Sequence, residues 1–484
     1  MNVLYALRRA KRFFGANPAS RGYTWSDFYD RVHRRAAFLR GSGIEKGDRL
    51  AVWMLNSHDY MELYWATAIA GIAIVPINTR WNNADVDFTL LDSDAKALVV
   101  DDAFACRIGE LKQAPLVLTK PEYSDAPVSF NEPDEEDLVG LFYTSGTTGG
   151  PKGVMLTHKN LWSHTLQIMQ TSGITQSVWL HAAPMFHAAD FWSIYVHAAL
   201  GSANEYLPTF HPEEFLKLVE AQGVTDTVIV PTMISMIVNH PSFGKFNLSS
   251  LRRIFYGASP MPEVLIDLAM KKLPHVQFIQ VYGMTELSPM AVLLDHKEHR
   301  GERLAAAGRP GMGVEVRVVD FEDRDVSVGE SGEVLVRGWN VMKGYWKRPD
   351  LTRDALRGGW MHTGDIGKLS EGGFLYILDR KKDMIKPGGE NVYSPEVESM
   401  ILHHPAVLEA SVIGVPHEKW GETIRAVVVC RPDHAIEEME LISWCRERMT
   451  HFKCPTSVVV VDALPKGGTG KIQKNVLRER YGGM

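Results

Sequence analysis

A run of hydroxyl, glycine and lysine residues has the side-chain types that bind phosphate. Positions 143–158 read Tyr-Thr-Ser-Gly-Thr-Thr-Gly-Gly-Pro-Lys-Gly-Val-Met-Leu-Thr-His and continue an apolar segment at 138–143. Glycines let backbone N–H groups approach an anion, hydroxyls add donors and a lysine adds positive charge. We therefore expect the loop to bind the phosphates of a nucleotide. Its candidate contacts are Thr144, Ser145, Gly146, Thr147, Thr148 and Lys152.

The spacing of this loop differs from that of a Walker A loop. After Gly146 the Walker pattern requires four residues and then Gly-Lys-Ser/Thr, whereas Pro151 follows Gly150 and Gly153 follows Lys152. The sequence therefore argues against the common P-loop NTPases and indicates a different ATP chemistry.

Two short motifs add carboxylates to the candidate site. Positions 282–286 read Tyr-Gly-Met-Thr-Glu and follow a strand-like run at 276–281. A hydroxyl beside a carboxylate can hold a phosphate with its Mg²⁺, and Glu286 is the predicted metal ligand. Asp365, in a Thr-Gly-Asp turn, could accept both hydroxyls of a ribose. Either motif alone is also compatible with a simple turn.

Two basic motifs lie near the C-terminus. Positions 379–383 read Asp-Arg-Lys-Lys-Asp, and a Gly-Gly-Glu-Asn-Val-Tyr segment occupies 388–393. Positions 465–472 read Pro-Lys-Gly-Gly-Thr-Gly-Lys-Ile, where the glycines would let Lys471 enter a closed site. A solvated charge cluster and a glycine-rich surface loop are the alternatives.

In this order, the motifs resemble those of the adenylate-forming (AMP-binding) superfamily. That superfamily includes acyl-CoA synthetases, peptide-synthetase adenylation domains and beetle luciferases, and the resemblance extends to fatty acyl-CoA and 4-coumarate-type ligases. It implies catalytic roles for Lys471, Thr285, Glu286 and His187, and a hinge at Lys382. Besides the phosphate loop, it implies nucleotide contacts by Gly257, Ala258, Ser259, Tyr282, Asp365, Arg380 and Lys386.

The resemblance implies an AMP-forming acyl-CoA ligase that uses ATP, Mg²⁺ and coenzyme A. An acyl-adenylate would form first, and the thiol of CoA would then displace AMP. An adenylation enzyme that transfers the acyl group to a carrier protein or another acceptor is one alternative, and a non-catalytic nucleotide-binding relative is another. CoA is favoured because His187 follows Phe186 where amino-acid-activating domains carry aspartate, and because no carrier segment follows Lys471.

The resemblance also implies which residues line the acyl pocket. They are Ala188, Ala189, Asp190, Trp192, Tyr256, Val281 and Leu287. The set is mostly apolar, which suits a fatty or an aryl carboxylic acid. Asp190 could cap the following helix and face away, or it could meet a polar substituent of the substrate.

Composition restricts the class of protein. The chain has 484 residues, 45% of them hydrophobic and 23% charged, with a net charge of −6. These values are typical of a globular protein of several domains and do not indicate nucleic-acid binding. The four cysteines show no metal-ligand or disulfide spacing, so we expect reduced thiols and a cytoplasmic enzyme. A homodimer is possible.

Alternating strand and helix patterns predict an α/β fold with largely parallel sheets. We expect a large N-terminal domain at 1–381, which ends in a β-rich subdomain after Gly308, and a small mobile α+β domain at 382–484. The apolar stretch at 63–77 is too short for a membrane span, which needs roughly 20 residues, and predicts a buried helix followed by a strand. The basic N-terminal segment predicts an amphipathic helix with Leu4, Leu7 and Phe14 turned inward, and a transit peptide or a membrane-contacting helix is the alternative.

Overall fold

The fold consists of four sheets with helices packed against them. A computed structural model describes residues 1–112, 114–119, 122–144, 151–467 and 472–483. Its α-helices are Leu4–Phe14, Trp25–Gly41, His58–Ala70, Asn83–Asp92, Asp102–Ala105, His158–Ser172, Trp192–Leu200, Pro212–Gln222, Pro231–Val238, Glu263–Lys272, Pro349–Ala355, Ser394–Leu402, Glu438–Arg446 and Lys474–Tyr481.

The largest sheet is mainly parallel. Its nine strands are, in spatial order, Arg309–Pro310, Met290–Leu294, Gln277–Gly283, Arg253–Gly257, Asp226–Ile229, Val178–His181, Ala203–Tyr206, Pro18–Ser20 and Tyr23–Thr24. The six strands from Gln277–Gly283 to Pro18–Ser20 run parallel, and antiparallel strands extend both ends. Parallel strands end at a common edge, which brings residues after 257 and 283 close together.

A second sheet has seven strands. In spatial order they are Gly344–Tyr345, Lys152–Thr157, Leu138–Thr144, Ala73–Pro76, Arg49–Trp53, Ala95–Val100 and Leu116–Leu118. The candidate phosphate loop joins the antiparallel strands Leu138–Thr144 and Lys152–Thr157. The predicted helix and strand at 63–77 are confirmed as His58–Ala70 and Ala73–Pro76.

The two smaller sheets follow along the chain. Four antiparallel strands, Val314–Val319, Gly332–Gly338, Met361–Leu369 and Leu375–Arg380, form the predicted β-rich part. The last sheet contains Val407–His417, Gly421–Cys430 and Ser457–Val460. The expected α/β class with a small C-terminal unit is confirmed, and the strands Val407–His417 and Gly421–Cys430 form a long antiparallel hairpin.

The C-terminal unit has a hydrophobic core of its own. Two clusters of buried side chains, around Val412 and around Ile413, contain only residues from Ile385 onward among those described. The domain boundary at Lys382 remains a prediction.

The N-terminal helix and its neighbour follow their sequence signals. Leu4 and Leu7 are buried and Phe14 packs against the core, as the amphipathic pattern predicted. Thr24 caps the helix Trp25–Gly41, because its hydroxyl accepts a hydrogen bond from the Asp27 amide at 3.2 Å. Among the described residues, no helix is both long and apolar enough to cross a bilayer.

Candidate functional site

A buried carboxylate lies where the two large sheets meet. Glu286 sits in a short 3-10 helix after the strand Gln277–Gly283 and is 5% exposed. The Tyr345 hydroxyl donates to Glu286 Oε1 at 2.9 Å, and Lys152 Nζ lies 5.4 Å from the centre of the Tyr345 ring. Burial raises the pKa of Glu286, while the charges of Arg380 and Lys152 oppose that shift. Two elements that are distant in sequence thus converge on one carboxylate.

A second carboxylate is held from two sides. Asp365 and Arg380 are cross-strand neighbours in the four-stranded sheet, and Arg380 Nε lies 2.9 Å from Asp365 Oδ1. The Tyr282 hydroxyl donates to Asp365 Oδ2 at 2.8 Å. Asp365 raises the pKa of Arg380, and burial followed by the Asp365 charge raises that of Tyr282. Three predicted residues, Tyr282, Asp365 and Arg380, are therefore in direct contact, and the charge of Arg380 also acts on Glu286.

Thr144 and Lys152 flank the phosphate loop. They face each other across the hairpin, and Lys152 lies beside Tyr345. The predicted contacts Ser145, Gly146, Thr147 and Thr148 lie outside the described residues.

The Gly257–Ser259 turn follows a central strand of the nine-stranded sheet. A Cβ at Gly257 would lie 2.1 Å from the backbone oxygen of Val281 on the next strand, so only glycine fits. Ala258 has φ +66°, which turns the chain sharply at the strand's end. Tyr282 directly follows Val281, so the turn and the Asp365 cluster are neighbours along this edge.

The turn that carries His187 is anchored by residues that the sequence motifs did not reveal. The buried Asn56 side chain accepts from the Met185 amide at 2.7 Å and donates to the carbonyls of His181 and Ala183. The Tyr64 hydroxyl donates to the Met185 carbonyl at 2.7 Å. His187 Nδ1 accepts from the Ala189 amide at 3.0 Å, which makes the turn compact.

The predicted pocket residues do not all pack together. Trp192 and Val281 share a cluster against which Ala189 packs, whereas Ala188 and Leu287 belong to the main core. Tyr256 packs into a different cluster, and its hydroxyl lies 2.8 Å from His299 Nε2. Successive residues of a strand point to opposite faces, so it is Phe255 that lies against Trp192, with ring centres 5.7 Å apart.

Asp190 pairs with a buried histidine. Its Oδ2 lies 2.6 Å from His181 Nδ1, both side chains are fully buried, and the helix Trp192–Leu200 has no side-chain cap. The Asn204 amide nitrogen donates to two backbone carbonyls, which leaves its oxygen to accept from His181 Nε2 at 3.2 Å. Since His181 donates through Nε2, one proton is shared between Nδ1 and Asp190. Burial raises the pKa of Asp190 and His181 opposes the shift.

We expect Asp190→Ala to lower the free energy of unfolding by about 3–5 kcal/mol, because it leaves His181 buried without its partner. Urea unfolding measures the change. Asp267→Ala is the control, since it removes an exposed pair with Lys271 and should cost at most about 1 kcal/mol. Equal losses in the two variants would contradict a stabilising role for the buried pair.

The remaining predicted residues lie in the C-terminal unit or just before it. Lys382 is exposed in the turn after the strand Leu375–Arg380. The Lys386 amide donates to Glu422 Oε2 at 2.6 Å, and its side chain is exposed. Lys471 lies outside the described residues, but Gly467 in the same segment accepts a hydrogen bond from Arg80 of the N-terminal part at 3.0 Å.

Comparisons with known proteins agree with the motifs. Residues 7–346 match the family described as AMP-binding enzyme, and residues 396–471 match the AMP-binding enzyme C-terminal domain. A feruloyl-CoA synthase from Amycolatopsis is 38% identical, over 99% of this chain and 98% of its own length. A long-chain-fatty-acid–CoA ligase from Mycobacterium tuberculosis is 35% identical, over 95% of this chain and 93% of its own length.

A solved structure extends the similarity to three dimensions. The ATP-bound MatB of Rhodopseudomonas palustris superposes with a TM-score of 0.91 and 32% identity, over 99% of both chains.

Proposed function

Because this chain belongs to the AMP-binding enzyme family, the adenylate-forming superfamily that its motifs predicted, we propose that it is an AMP-forming carboxylic acid–CoA ligase. The observation that carries the proposal is the convergence of Glu286, Asp365 and Arg380 beside Lys152. Buried groups of both charge signs that come from three sheets and meet at one edge are typical of a ligand site. Mg·ATP has both the anionic phosphates and the ribose hydroxyls that this arrangement can bind.

The nucleotide would be held by opposite ends of the site. Asp365, aligned by Tyr282 and Arg380, would accept hydrogen bonds from the ribose hydroxyls. The Gly257–Ser259 turn would contact the base, and the loop between Thr144 and Lys152 would bind phosphates. Lys386 is a further nucleotide contact in this proposal.

Glu286 would hold the Mg²⁺ that accompanies ATP. Among the described residues, no group of three or more His, Cys, Asp or Glu side chains could hold a metal ion by itself. That suits Mg²⁺, which commonly binds through one or two carboxylates and completes its shell with water and substrate phosphates. The hydrogen bond from Tyr345 fixes the orientation of this carboxylate. Bound Mg²⁺ would offset phosphate charge.

The first half-reaction would be attack by the substrate carboxylate oxygen on the α-phosphorus of ATP, which breaks the bond to pyrophosphate. Negative charge then spreads over the non-bridging oxygens of the α-phosphate. Fixed donors stabilise such charge without general acid–base catalysis. Thr285, Lys152 and Lys471 are the donors in this proposal.

The second half-reaction would transfer the acyl group to CoA. The thiol of CoA would release its proton to solvent, and the thiolate would form a C–S bond to the carbonyl carbon of the acyl-adenylate. The C–O bond would break, and AMP would leave with the bridging oxygen and the electron pair of that bond. Rotation of residues 382–484 about Lys382 would withdraw Lys471 and bring the 388–393 loop to the site. His187, on the turn anchored by Asn56, would lie between the acyl pocket and the thiol.

The proposed acid is apolar, either fatty or aryl. The cluster around Trp192 and Val281 supplies an apolar wall, and Ala189 leaves space beside it. Feruloyl-CoA synthase activity in one relative supports an aryl acid, and long-chain fatty-acid activity in another supports a fatty acid. All four cysteines are free thiols, which supports a reducing location such as the cytoplasm.

Pyrophosphate release from Mg·ATP, measured over a panel of acids with and without CoA, tests the proposal. The panel contains hydroxycinnamic acids, benzoic acids and medium- and long-chain fatty acids, with malonate as a polar control. We expect turnover that needs both an acid and CoA and yields AMP. Release that CoA does not accelerate would favour a carrier protein or an amine as acceptor. No pyrophosphate release with any acid of the panel, together with no binding of ATP, would contradict the proposal.

A further inference from the structure

Asp379 joins the two parts of the chain across the predicted pivot. It ends the strand Leu375–Arg380 with only 5% of its surface exposed. Its Oδ2 accepts from the Ser394 amide at 2.7 Å and from the Ser394 hydroxyl at 2.8 Å. Ser394 begins the helix Ser394–Leu402. Asp379 precedes Lys382 and Ser394 follows it, so rotation about Lys382 would break both hydrogen bonds.

Ser394 in turn contacts the helix that follows the glycine-rich loop. Lys474 Nζ donates to the Ser394 hydroxyl and lies 2.8 Å from Glu398 Oε1. Lys474 is the first residue of the helix Lys474–Tyr481 and comes three positions after Lys471. We call Asp379, Ser394, Glu398 and Lys474 the hinge network. It connects the strand before the pivot to the chain directly after Lys471.

Gly467, which precedes Lys471 in the glycine-rich motif, is also anchored. Arg80 donates to the Gly467 carbonyl at 3.0 Å from the N-terminal part of the chain. A further ion pair, Arg478–Asp383 at 2.8 Å, fastens the last helix to the residue after the pivot. Gly467 and the helix Lys474–Tyr481 are therefore both anchored, the first to the N-terminal part of the chain and the second to the residues around the pivot.

The hinge network is suited to control an orientation because it is buried and charged. Burial raises the pKa of the Asp379 carboxyl, and the ammonium of Lys474 and the two hydrogen bonds from Ser394 oppose that shift. A carboxylate that leaves such partners must find others or become hydrated, so the network favours one discrete orientation over intermediate ones.

We propose that Asp379 is a positioning residue for the first half-reaction. Through Ser394 and Lys474 it holds the C-terminal unit in the orientation found in the structure, in which Gly467 contacts Arg80. The inference rests on the proposed function. It assigns the hinge network to adenylation and requires that the network open before the acyl group is transferred to CoA.

Ser394→Ala tests the proposal, because it removes the hydroxyl that links Asp379 to Lys474 and keeps the backbone amide. We expect adenylation to slow about 10-fold or more. Thioester formation from supplied acyl-adenylate should stay at least at the wild-type rate. Asp379→Asn, a second variant, removes the charge and should act in the same direction. Lys453→Ala is the control, since it breaks an exposed ion pair with Glu396 on the same helix without touching the network.

Limited trypsin digestion provides a readout that is independent of catalysis. Arg380, Lys381 and Lys382 are trypsin sites at the pivot, and we expect Ser394→Ala to be cut there faster than wild type and Lys453→Ala. Unchanged adenylation and unchanged cutting would overturn the proposal, as would equal loss of both half-reactions with a lowered Tm. If wild type itself forms no adenylate, the proposed function fails, while digestion still reports on the hinge network.

Discussion

Lys471→Ala should slow adenylation by about 10²–10³-fold and leave thioester formation from supplied acyl-adenylate nearly unchanged. The proposed role of Lys471 is to stabilise charge on the α-phosphate as pyrophosphate leaves, and loss of one such donor typically has this effect. In the second half-reaction the lysine would have left the site. Pyrophosphate release measures the first step, and consumption of synthetic acyl-adenylate with CoA measures the second.

Lys466→Ala is the matched control for Lys471→Ala. It changes a lysine of the same motif whose ammonium pairs at 2.6 Å with Glu409, in the strand Val407–His417. Its effect on either step should be small. Equal loss of both steps in Lys471→Ala would show that the residue maintains structure and does not act selectively in adenylation.

Lys382→Pro should have the opposite selectivity. Proline locks φ near −65° and restricts the residue before it, so the pivot could no longer change conformation. Adenylation should continue, because the orientation found in the structure places the segment that includes Gly467 against Arg80. Thioester formation should fall on the order of 10²-fold, since the thiol and the adenylate would no longer be aligned.

Lys382→Ala separates conformational freedom from side-chain chemistry. It removes the ammonium and leaves φ free, so both half-reactions should persist. Full thioester formation by Lys382→Pro would place the pivot elsewhere. Loss of adenylation in the proline variant, together with a lowered Tm, would indicate local damage to the turn.

Local signals in the sequence were sufficient for several of the helices and strands. The amphipathic pattern at the N-terminus predicted a helix with Leu4 and Leu7 inward, and the apolar pattern at 63–77 predicted a buried helix and a strand. These elements depend on neighbours a few positions apart. The family assignment likewise came from short motifs, and the comparisons confirm it.

Contacts between distant segments could not be read from the sequence. Tyr345 reaches Glu286 across 59 positions, and Asn56 reaches Met185 across 129. Neither Tyr345 nor Asn56 lies in a motif, and both are set by how the sheets pack. Asn56 is a polar residue between an apolar strand and an apolar helix. That position is a sequence signal that could have suggested a buried, hydrogen-bonded side chain.

Tyr256 shows that the sequence also did not predict which face of a buried strand a side chain points to. The strand Arg253–Gly257 is buried on both faces, so the apolar and aromatic residues at 254–256 follow one another without alternation. The motif placed the strand's end correctly but could not tell whether Phe255 or Tyr256 faces Trp192. The partner of Asp190 could not be predicted either, because His181 belongs to the preceding strand and no sequence pattern pairs the two residues.

Oxygen transfer from the acid to AMP tests the central claim most directly. The enzyme is given its best acid labelled with ¹⁸O in the carboxylate, together with Mg·ATP and CoA, and AMP is analysed by mass spectrometry. Attack of the carboxylate on the α-phosphorus, followed by thiol attack on carbon, leaves one ¹⁸O atom in AMP. We predict AMP with a single label and an acyl-CoA that retains the other oxygen. Unlabelled AMP, or ADP as the product, would contradict an acyl-adenylate mechanism.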